Sequence, residues 1–377
     1  MFEIKNILNF LNTNTSPIGL DINCNSVKML QLQSQAGKMA VLAADEIQLG
    51  VEHCDDERLV RDAVVAAIKD IVARGRFQKR EVISCLPSSK LIIKSIRLDA
   101  FEDNEIEKAL KSGTIDKIGL KADTHEIRFF SAGSIKQGEE VKNEVILFAI
   151  EKEALKAHIE MLEEAGLVPV AIDAVPCALF RSLQRSLRRV ADQEKANVFV
   201  EVGSSYTTML IGKAGEIIFA KQIDIASEQI NKQVSSRLGI GIEDAVHLRS
   251  KMRNETEFQE IEPATRQIVI DSMYSVIDEL AREISLCFKY YSVTFRGQRP
   301  QQVVFAGGEA YEQTLINALK RHLGIDIEVT EPLRGFDLSG VDFPADKRAM
   351  LCEWAVACGL CLKGMDMAER AVCNARN

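Results

Sequence analysis

Apolar residues recur along the chain at two periods, and the polar breaks between them predict most of its elements. From Phe2 to Leu11, the residues Ile4, Ile7, Leu8 and Leu11 share one helical face. The polar run Asn12 to Ser16 breaks that face, and Pro17 leads into a short buried strand, Ile18 to Ile22. Strand-like runs Val27 to Leu32 and Met39 to Ala43 follow, joined around Gly37. Leu59, Val60, Ala63, Val64, Ala67, Ile68, Ile71 and Val72 return to the helical period, with Gly75 as the stop. Glu81 to Leu86 is another strand, ended by Pro87.

Residues 90 to about 165 then read as an insert with its own α+β pattern. Its strands are Leu91 to Leu98 and Val145 to Ile150, and its helices Glu102 to Ser112 and Glu151 to Ala165. Val168 to Asp173 is again a buried strand, followed by a helix from Val175 to Arg189 and a charged hinge, Arg189 to Lys195. The second half starts in the same way as the first. Asn197 to Val202 is a strand near whose end stands Glu201, and Tyr206 to Ile211 with Glu216 to Ala220 forms a hairpin around Gly215. Setting Asp21 on Glu201 brings Gly37 within two positions of Gly215, so one unit occurs twice. A long helix over Ala264 to Tyr291, a strand from Gln301 to Ala306 running into Gly307 and Gly308, and a helix from Arg348 to Lys363 complete the pattern.

Composition narrows the classes. At 377 residues, 46% hydrophobic and 27% charged, the chain can bury a large core and should form two or three packing units. Asp and Glu outnumber Lys and Arg by 55 to 47, a net charge of −8, which argues against nucleic acid as the main partner. The apolar run Val145 to Ile150 is far short of the ~20 residues that cross a bilayer, so no direct transmembrane insertion is expected. Met1 to Lys5 lacks a signal-peptide pattern, and the protein is expected to stay in the cytosol. Nine cysteines in apolar stretches read as buried thiols. Cys358 and Cys361 form a C-x-x-C, but without a second pair or a nearby His they read as part of a packed helix. His53, His125, His158, His247 and His322 show no ligand spacing.

An acidic residue at a strand end followed by a small-residue hairpin can grip a phosphate. Backbone N–H groups bind the oxygens, and the carboxylate holds a water-coordinated Mg²⁺. A strand running into Gly-Gly lets backbone approach a flat base and sugar closely. Asp21, Glu201 and Gly307-Gly308 match such a three-part clamp, although each alone also reads as a plain turn.

These loops resemble the phosphate and adenosine motifs of the actin, hexokinase and DnaK superfamily. More closely, the chain resembles the PilM family, the FtsA-like cytoplasmic proteins of type IV pilus assembly. The matching segments are Met1-Phe2 with Leu8, Ile18 to Ile22 with Ser26 to Lys28, Glu163 to Leu167 with Ile172-Asp173, Val200 to Ser204 with Thr207-Thr208, Ala306 to Ala310, and Ala357 to Leu362. The resemblance implies an α/β, actin-like (ribonuclease H-like) duplicated two-lobe fold, with an inserted α+β subdomain in the first lobe. The expected segments are 1–16 (N-terminal), 17–192 (first lobe, insert at about 90–165), 193–347 (second lobe, helical subdomain at about 223–297) and 348–377 (a helix and tail returning to the first lobe).

It also implies ATP as ligand, bound between the lobes. Asp21, Asn23, Asn25, Ser26 and Lys28 would serve the first phosphate loop, and Glu201, Gly203, Ser204, Ser205 and Thr207 the second. Gly307, Gly308 and Glu309 would line the adenosine loop. Asp21 and Glu201 would hold Mg²⁺ through water, and Asp173 would stand near the attacking water as the catalytic group. Lys28 reads equally as a solvated strand residue, and Asp173 as a helix cap. The implied partner is the N-terminal cytoplasmic tail of a PilN-like inner-membrane protein, alongside other pilus motor and platform proteins. The chain would thus be peripheral at the inner membrane through its partners.

Four departures from the family pattern bear on activity. Asn23-Cys24-Asn25 replaces Gly-Ser-Ser, and Glu201 replaces Asp. Ala245-Val246-His247-Leu248-Arg249 replaces Ala-Glu-x-x-Lys, so the sugar-binding carboxylate is missing, and Glu309 is an unusual choice beside a charged ligand. Binding sums many contacts, whereas a misplacement of ~1 Å can cost ~10²-fold in rate. Nucleotide binding with very slow or absent hydrolysis is therefore expected. A small-molecule kinase of the same superfamily and an FtsA-like filament protein are the alternatives. No substrate base stands out for the first, and Gly364 to Asn377 is weakly amphipathic for the second. The apolar start, Phe2 to Leu11, can dock on its own lobe, on a partner or on lipid.

Overall fold

The computed structural model describes residues 2–3, 14–35, 37–50, 56–185, 187, 194–253, 255–297, 299–300, 302–343 and 350–376. Its contacts divide the chain into two units, Met1–Gly133 with Val141–Arg188 and Glu331–Asn377, and Ser134–Glu140 with Arg189–Thr330. The first elements are β1 (Phe2–Glu3), β2 (Ile18–Ile22), β3 (Ser26–Gln35), β4 (Lys38–Gln48), α1 (Glu57–Ala73), β5 (Glu81–Cys85) and β6 (Ile92–Leu98). Next come α2 (Asp103–Ala109), β7 (His125–Gln137), β8 (Glu140–Glu151), α3 (Lys152–Glu164), β9 (Val168–Asp173) and α4 (Val175–Gln184). The second half adds β10 (Asn197–Val202), β11 (Thr207–Lys213), β12 (Glu216–Ile223), α5 (Ser227–Leu238), α6 (Ile242–Arg253), α7 (Glu255–Glu260) and α8 (Pro263–Thr294). It closes with β13 (Gln302–Ala306), α9 (Gln313–Leu323), β14 (Asp326–Val329) and α10 (Ala355–Arg376).

The first unit is built on a sheet in the order β1-β9-β5-β2-β3-β4, and the second on a sheet in the order β12-β11-β10-β13-β14. Without β1 the two are the same design. An antiparallel meander of three strands is followed by two strands that run parallel to its first one. The parallel strands read as unbroken apolar runs because both their faces are covered: Ile18, Leu20, Ile83 and Ile172 are fully buried, as are Val198, Phe199 and Phe305. The β11–β12 turn places Ala214 (φ 52°) and Gly215 (φ 83°) in the left-handed region, the pair that a tight type I′ hairpin requires. The insert forms a three-stranded sheet, β6-β8-β7. Ile106, Leu110, Ile115 and Leu120 pack on its Val145, Leu147 and Ala149.

The structure departs from the periodicity in three places. Phe2 and Glu3 form no helix; they pair antiparallel with Ile172 and Ala171 of β9, while residues 4–11 of that expected helix lie outside the described residues. The apolar pattern does not mark β7, because polar residues and Gly133 interrupt its alternation and it runs along a sheet edge. The last helix starts at Ala355, after a 3₁₀ turn over Cys352–Trp354. Leu351 is left-handed there (φ 53°) and blocks an earlier start, and the helix runs past Lys363 to Arg376. Cys358 and Cys361 sit in the core of this helix, where their thiols donate to Pro332 O and Leu30 O. Burial pushes them up to about 11 and about 12.

His158 on α3 is buried, with Nε2 3.1 Å from Ser84 Oγ, and burial pushes its imidazole down to about 4. The folded chain holds it neutral, whereas the unfolded chain protonates it below about pH 6.5. This contribution to stability is present above pH 6.5 and is lost as the pH falls toward 4. Its ceiling is about 3 kcal/mol. Urea unfolding of the parent and His158→Gln at pH 7 and pH 4 checks this. The parent is expected to lose more stability on acidification than the variant, and equal losses would refute the assignment.

Candidate functional site

In the first unit the strand-end carboxylate begins a row of charges across three strands. Asp21 lies opposite Lys28 in the β2–β3 register, and Lys28 lies opposite Glu46 in the β3–β4 register. Lys28 Nζ donates to Ser26 Oγ at 2.8 Å and pairs with Glu46 Oε1 at 3.1 Å. Both Asp21 and Lys28 are buried. Burial pushes the Asp21 carboxyl up; Lys28 lowers it in part and Glu46 raises it again. Its charge is therefore incompletely compensated, and a cation nearby would stabilise the ionised form.

Asn23 shapes the loop between β2 and β3. Its Oδ1 accepts from Asn25 N at 2.9 Å and Ser26 N at 2.8 Å, and its own N–H donates to Ser26 O at 3.1 Å. The hairpin closes as an Asx turn, without any left-handed residue at Asn23, Cys24 or Asn25. The Asn23 side chain thus takes the amide donors of Asn25 and Ser26 for itself.

Asp173 stands at the end of β9 with its side chain fully buried. Oδ1 accepts from Ala174 N at 2.9 Å, while Oδ2 lies 3.2 Å from Arg181 Nη1 and 3.6 Å from Lys363 Nζ on α10. Burial pushes this carboxyl up, but Lys363, then Arg181, then the Ala174 N–H outweigh it and hold it below the usual carboxylate range. Arg181 also donates to Gly359 O at 2.8 Å. Oδ2 is held by Lys363 and Arg181 through charge and makes no hydrogen bond of its own.

In the second unit the equivalent strand-end residue is Glu201, opposite Thr208 in the β10–β11 register and Ala306 in the β10–β13 register. Its carboxylate is cradled by two glycines. A Cβ on Gly307 would meet Oε1 at 3.0 Å, and one on Gly203 would meet it at 3.4 Å. Gly307 is also left-handed (φ 88°). Gly308 opens the 3₁₀ turn Gly308–Tyr311 and faces open space. Neither backbone strain nor a neighbour requires a glycine there. The loop after Glu201 closes through Gly203 N to Tyr206 O at 3.1 Å. The first amides of α5, Ser227 N and Glu228 N, donate to Gly203 O and Ser204 O. Thr207 is buried, and its hydroxyl donates to Ile225 O at 2.6 Å.

Glu309 does not stand free. Its Oε2 pairs with Arg249 Nη2 at 2.6 Å and its Oε1 with Arg253 Nη2 at 2.7 Å, both arginines being on α6. Burial pushes Glu309 up, and Arg249 and Arg253 together bring it below its ordinary value. Residue patterns missed two groups, Glu46 and this arginine pair. The turn at Gln35 and Lys38 alone would put Asp45 opposite Lys28; a bulge at Gln31/Leu32 moves Glu46 there instead.

Each unit therefore offers one strand-end carboxylate beside a tight loop. Among the described residues no group of three or more His, Cys, Asp or Glu gathers to hold a metal. Single carboxylates suit a largely hydrated divalent cation that rests on a phosphate ligand, and not a cage of protein oxygens. No helix among the described residues is long and apolar enough to cross a membrane.

Comparison with known proteins agrees with this architecture. A chain solved in the "PilM-PilN type IV pilus biogenesis complex" is 19% identical, with 93% of this chain and 98% of that one covered and a TM-score of 0.74. Ethanolamine utilization protein EutJ from Carboxydothermus hydrogenoformans is 14% identical, with 93% and 90% covered and a TM-score of 0.52. The fold is that of the actin-like ATPases. The family model for type IV pilus assembly protein PilM matches residues 19–365, and the chain belongs to that family.

Proposed function

We propose that this chain is a nucleotide-binding scaffold of the type IV pilus inner-membrane complex, one that holds ATP without turning it over at an enzymatic rate. The observation that carries the reading is the Glu201 carboxylate set between Gly203 and Gly307, with Gly308 beside it facing open space. Packing and backbone conformation account for Gly203 and Gly307 but not for Gly308, which a ligand lying against the turn would explain. In this reading Asp21 and Glu201 hold Mg²⁺ through water, Ser204 and Ser205 serve the phosphates, and Gly307 and Gly308 border the adenosine. Lys28 reaches a phosphate by exchanging Ser26 or Glu46 for it. The amides of Asn25 and Ser26 exchange the Asn23 side chain in the same way, which weakens binding relative to a glycine loop.

Slow or absent hydrolysis follows from the partners of Asp173. A carboxylate paired with Lys363 and Arg181 is a poor acceptor for a proton from water. The partner is a PilN-like inner-membrane protein, bound through its N-terminal cytoplasmic tail. Family membership supports this, as does the likeness to a chain solved together with PilN. In this reading other pilus motor and platform proteins would meet the same assembly, and the chain would lie in the cytoplasm at the inner membrane.

Calorimetry with Mg-ATP tests the nucleotide reading. Saturable binding is expected, lost in Asp21→Asn and Glu201→Gln, with turnover far below one per second. A flat titration of the parent chain, or turnover of several per second, would refute it. Fluorescence anisotropy with a labelled PilN-type N-terminal peptide tests the partner separately.

A further inference from the structure

The two arginines of α6 and the two acidic residues after Gly308 form a buried network that local pattern does not foretell. Glu309 gives one carboxylate oxygen to Arg249 at 2.6 Å and the other to Arg253 at 2.7 Å. Glu312, which precedes α9, accepts from Arg253 Nε at 3.4 Å and lies 3.9 Å from Arg249 Nη2. Arg249 Nη1 donates to Asn231 Oδ1 on α5 at 2.6 Å. Arg249 is 2% exposed, and Glu309 and Glu312 are also buried.

Three buried charges, with Arg253 half-buried beside them, are costly to hold, and buried ion pairs are weak stabilisers compared with apolar side chains of the same volume. What such a network does provide is geometry. Through Glu309 it ties the 3₁₀ turn that begins at Gly308 to α6. Through Asn231 it ties α6 to α5, whose first amides already hold the carbonyls of Gly203 and Ser204.

We infer that Arg249 and Arg253 are positioning residues for the base-and-sugar end of the nucleotide site, acting through Glu309 to hold the Gly307-Gly308 turn in its ligand-ready geometry. This rests on the nucleotide reading above and adds to it the residues that set affinity for the nucleoside part. Glu309 then serves the ligand indirectly, with both oxygens committed to guanidinium groups. Glu309 and Arg249, the end of the segment Ala245 to Arg249, are partners of each other.

The test compares Mg-ATP with Mg-tripolyphosphate, which has the phosphates and lacks the nucleoside, by calorimetry on the full chain. Glu309→Gln keeps the side-chain volume and breaks the ion pairs. Arg253→Lys, at a side chain that is 25% exposed, is the variant to use if the first does not fold. Near-UV circular dichroism verifies the fold of each. The expected result is a loss of at least tenfold in ATP affinity, with tripolyphosphate affinity unchanged within twofold. Equal losses for both ligands would make the network structural only and overturn the inference, as would no change for either. If the parent chain binds neither ligand, the nucleotide reading itself fails and takes this inference with it.

Discussion

Gly359→Ala is expected to destabilise the first unit by about 3 kcal/mol or more, at or beyond the upper end of ordinary overpacking. A Cβ at this position would lie 1.8 Å from Ala178 O and 2.5 Å from Ala178 C on α4. Both are backbone atoms, so no side-chain rotation can relieve the clash, and α10 would have to move away from α4. That movement would strain the rest of a seam in which α10 lies equally close to the sheet. A Cβ on Gly19 would meet Ala357 O at 2.3 Å, and one on Gly364 would meet Pro17 Cδ at 2.4 Å. It would also pull Gly359 O from Arg181 and disturb the pair between Lys363 and Asp173. Thermal unfolding followed by circular dichroism should show a transition lowered by several degrees. A transition within one degree of the parent would show that the seam yields.

Gly308→Val is expected to do the opposite: keep the fold and lose the ligand. Gly308 is not left-handed, and nothing stands within 4 Å of the place a Cβ would occupy. The cost to folding should stay near the ~1 kcal/mol or less of an ordinary surface change. If the nucleoside lies against this turn, the added side chain fills its space, and Mg-ATP affinity should fall by about 100-fold, equivalent to about 2.7 kcal/mol. Gly307→Ala is the informative contrast. Its left-handed backbone and the Glu201 carboxylate 3.0 Å from the new Cβ make it a folding lesion as well. Calorimetry together with the unfolding curve separates the two. Unchanged ATP affinity in folded Gly308→Val would remove the adenosine assignment of this loop.

Much of the fold is legible along the chain because its signals are local. The apolar runs at Ile18 to Ile22 and Asn197 to Val202 mark strands covered on both faces, and the glycines at 37 and 215 mark the hairpins after them. Those signals also place Asp21 and Glu201 at equivalent strand ends, which the two sheets reproduce. Where polar residues interrupt alternation, as in β7, the signal fades and the strand is invisible. Where a short strand depends on a distant partner, as Phe2 and Glu3 depend on β9, local spacing does not reveal it. A single bulge is enough to exchange Asp45 for Glu46 beside Lys28.

By itself the sequence determined which residues stand at strand ends and beside small-residue turns, and so which carboxylates are candidates for chemistry. Alternation, caps and turn residues act within a few positions, so no knowledge of the rest of the chain is needed. Only the tertiary structure decided which of those carboxylates are already engaged. Asp173 meets Lys363 from the far end of the chain, and Glu309 meets Arg249 across 60 residues. Glu201 lies beside the backbones of Gly203 and Gly307. Charge pairing acts through space and is strongest where water is excluded. The same kind of strand-end residue is therefore a structural anchor in one loop and a candidate ligand group in another, according to what the packed chain brings beside it.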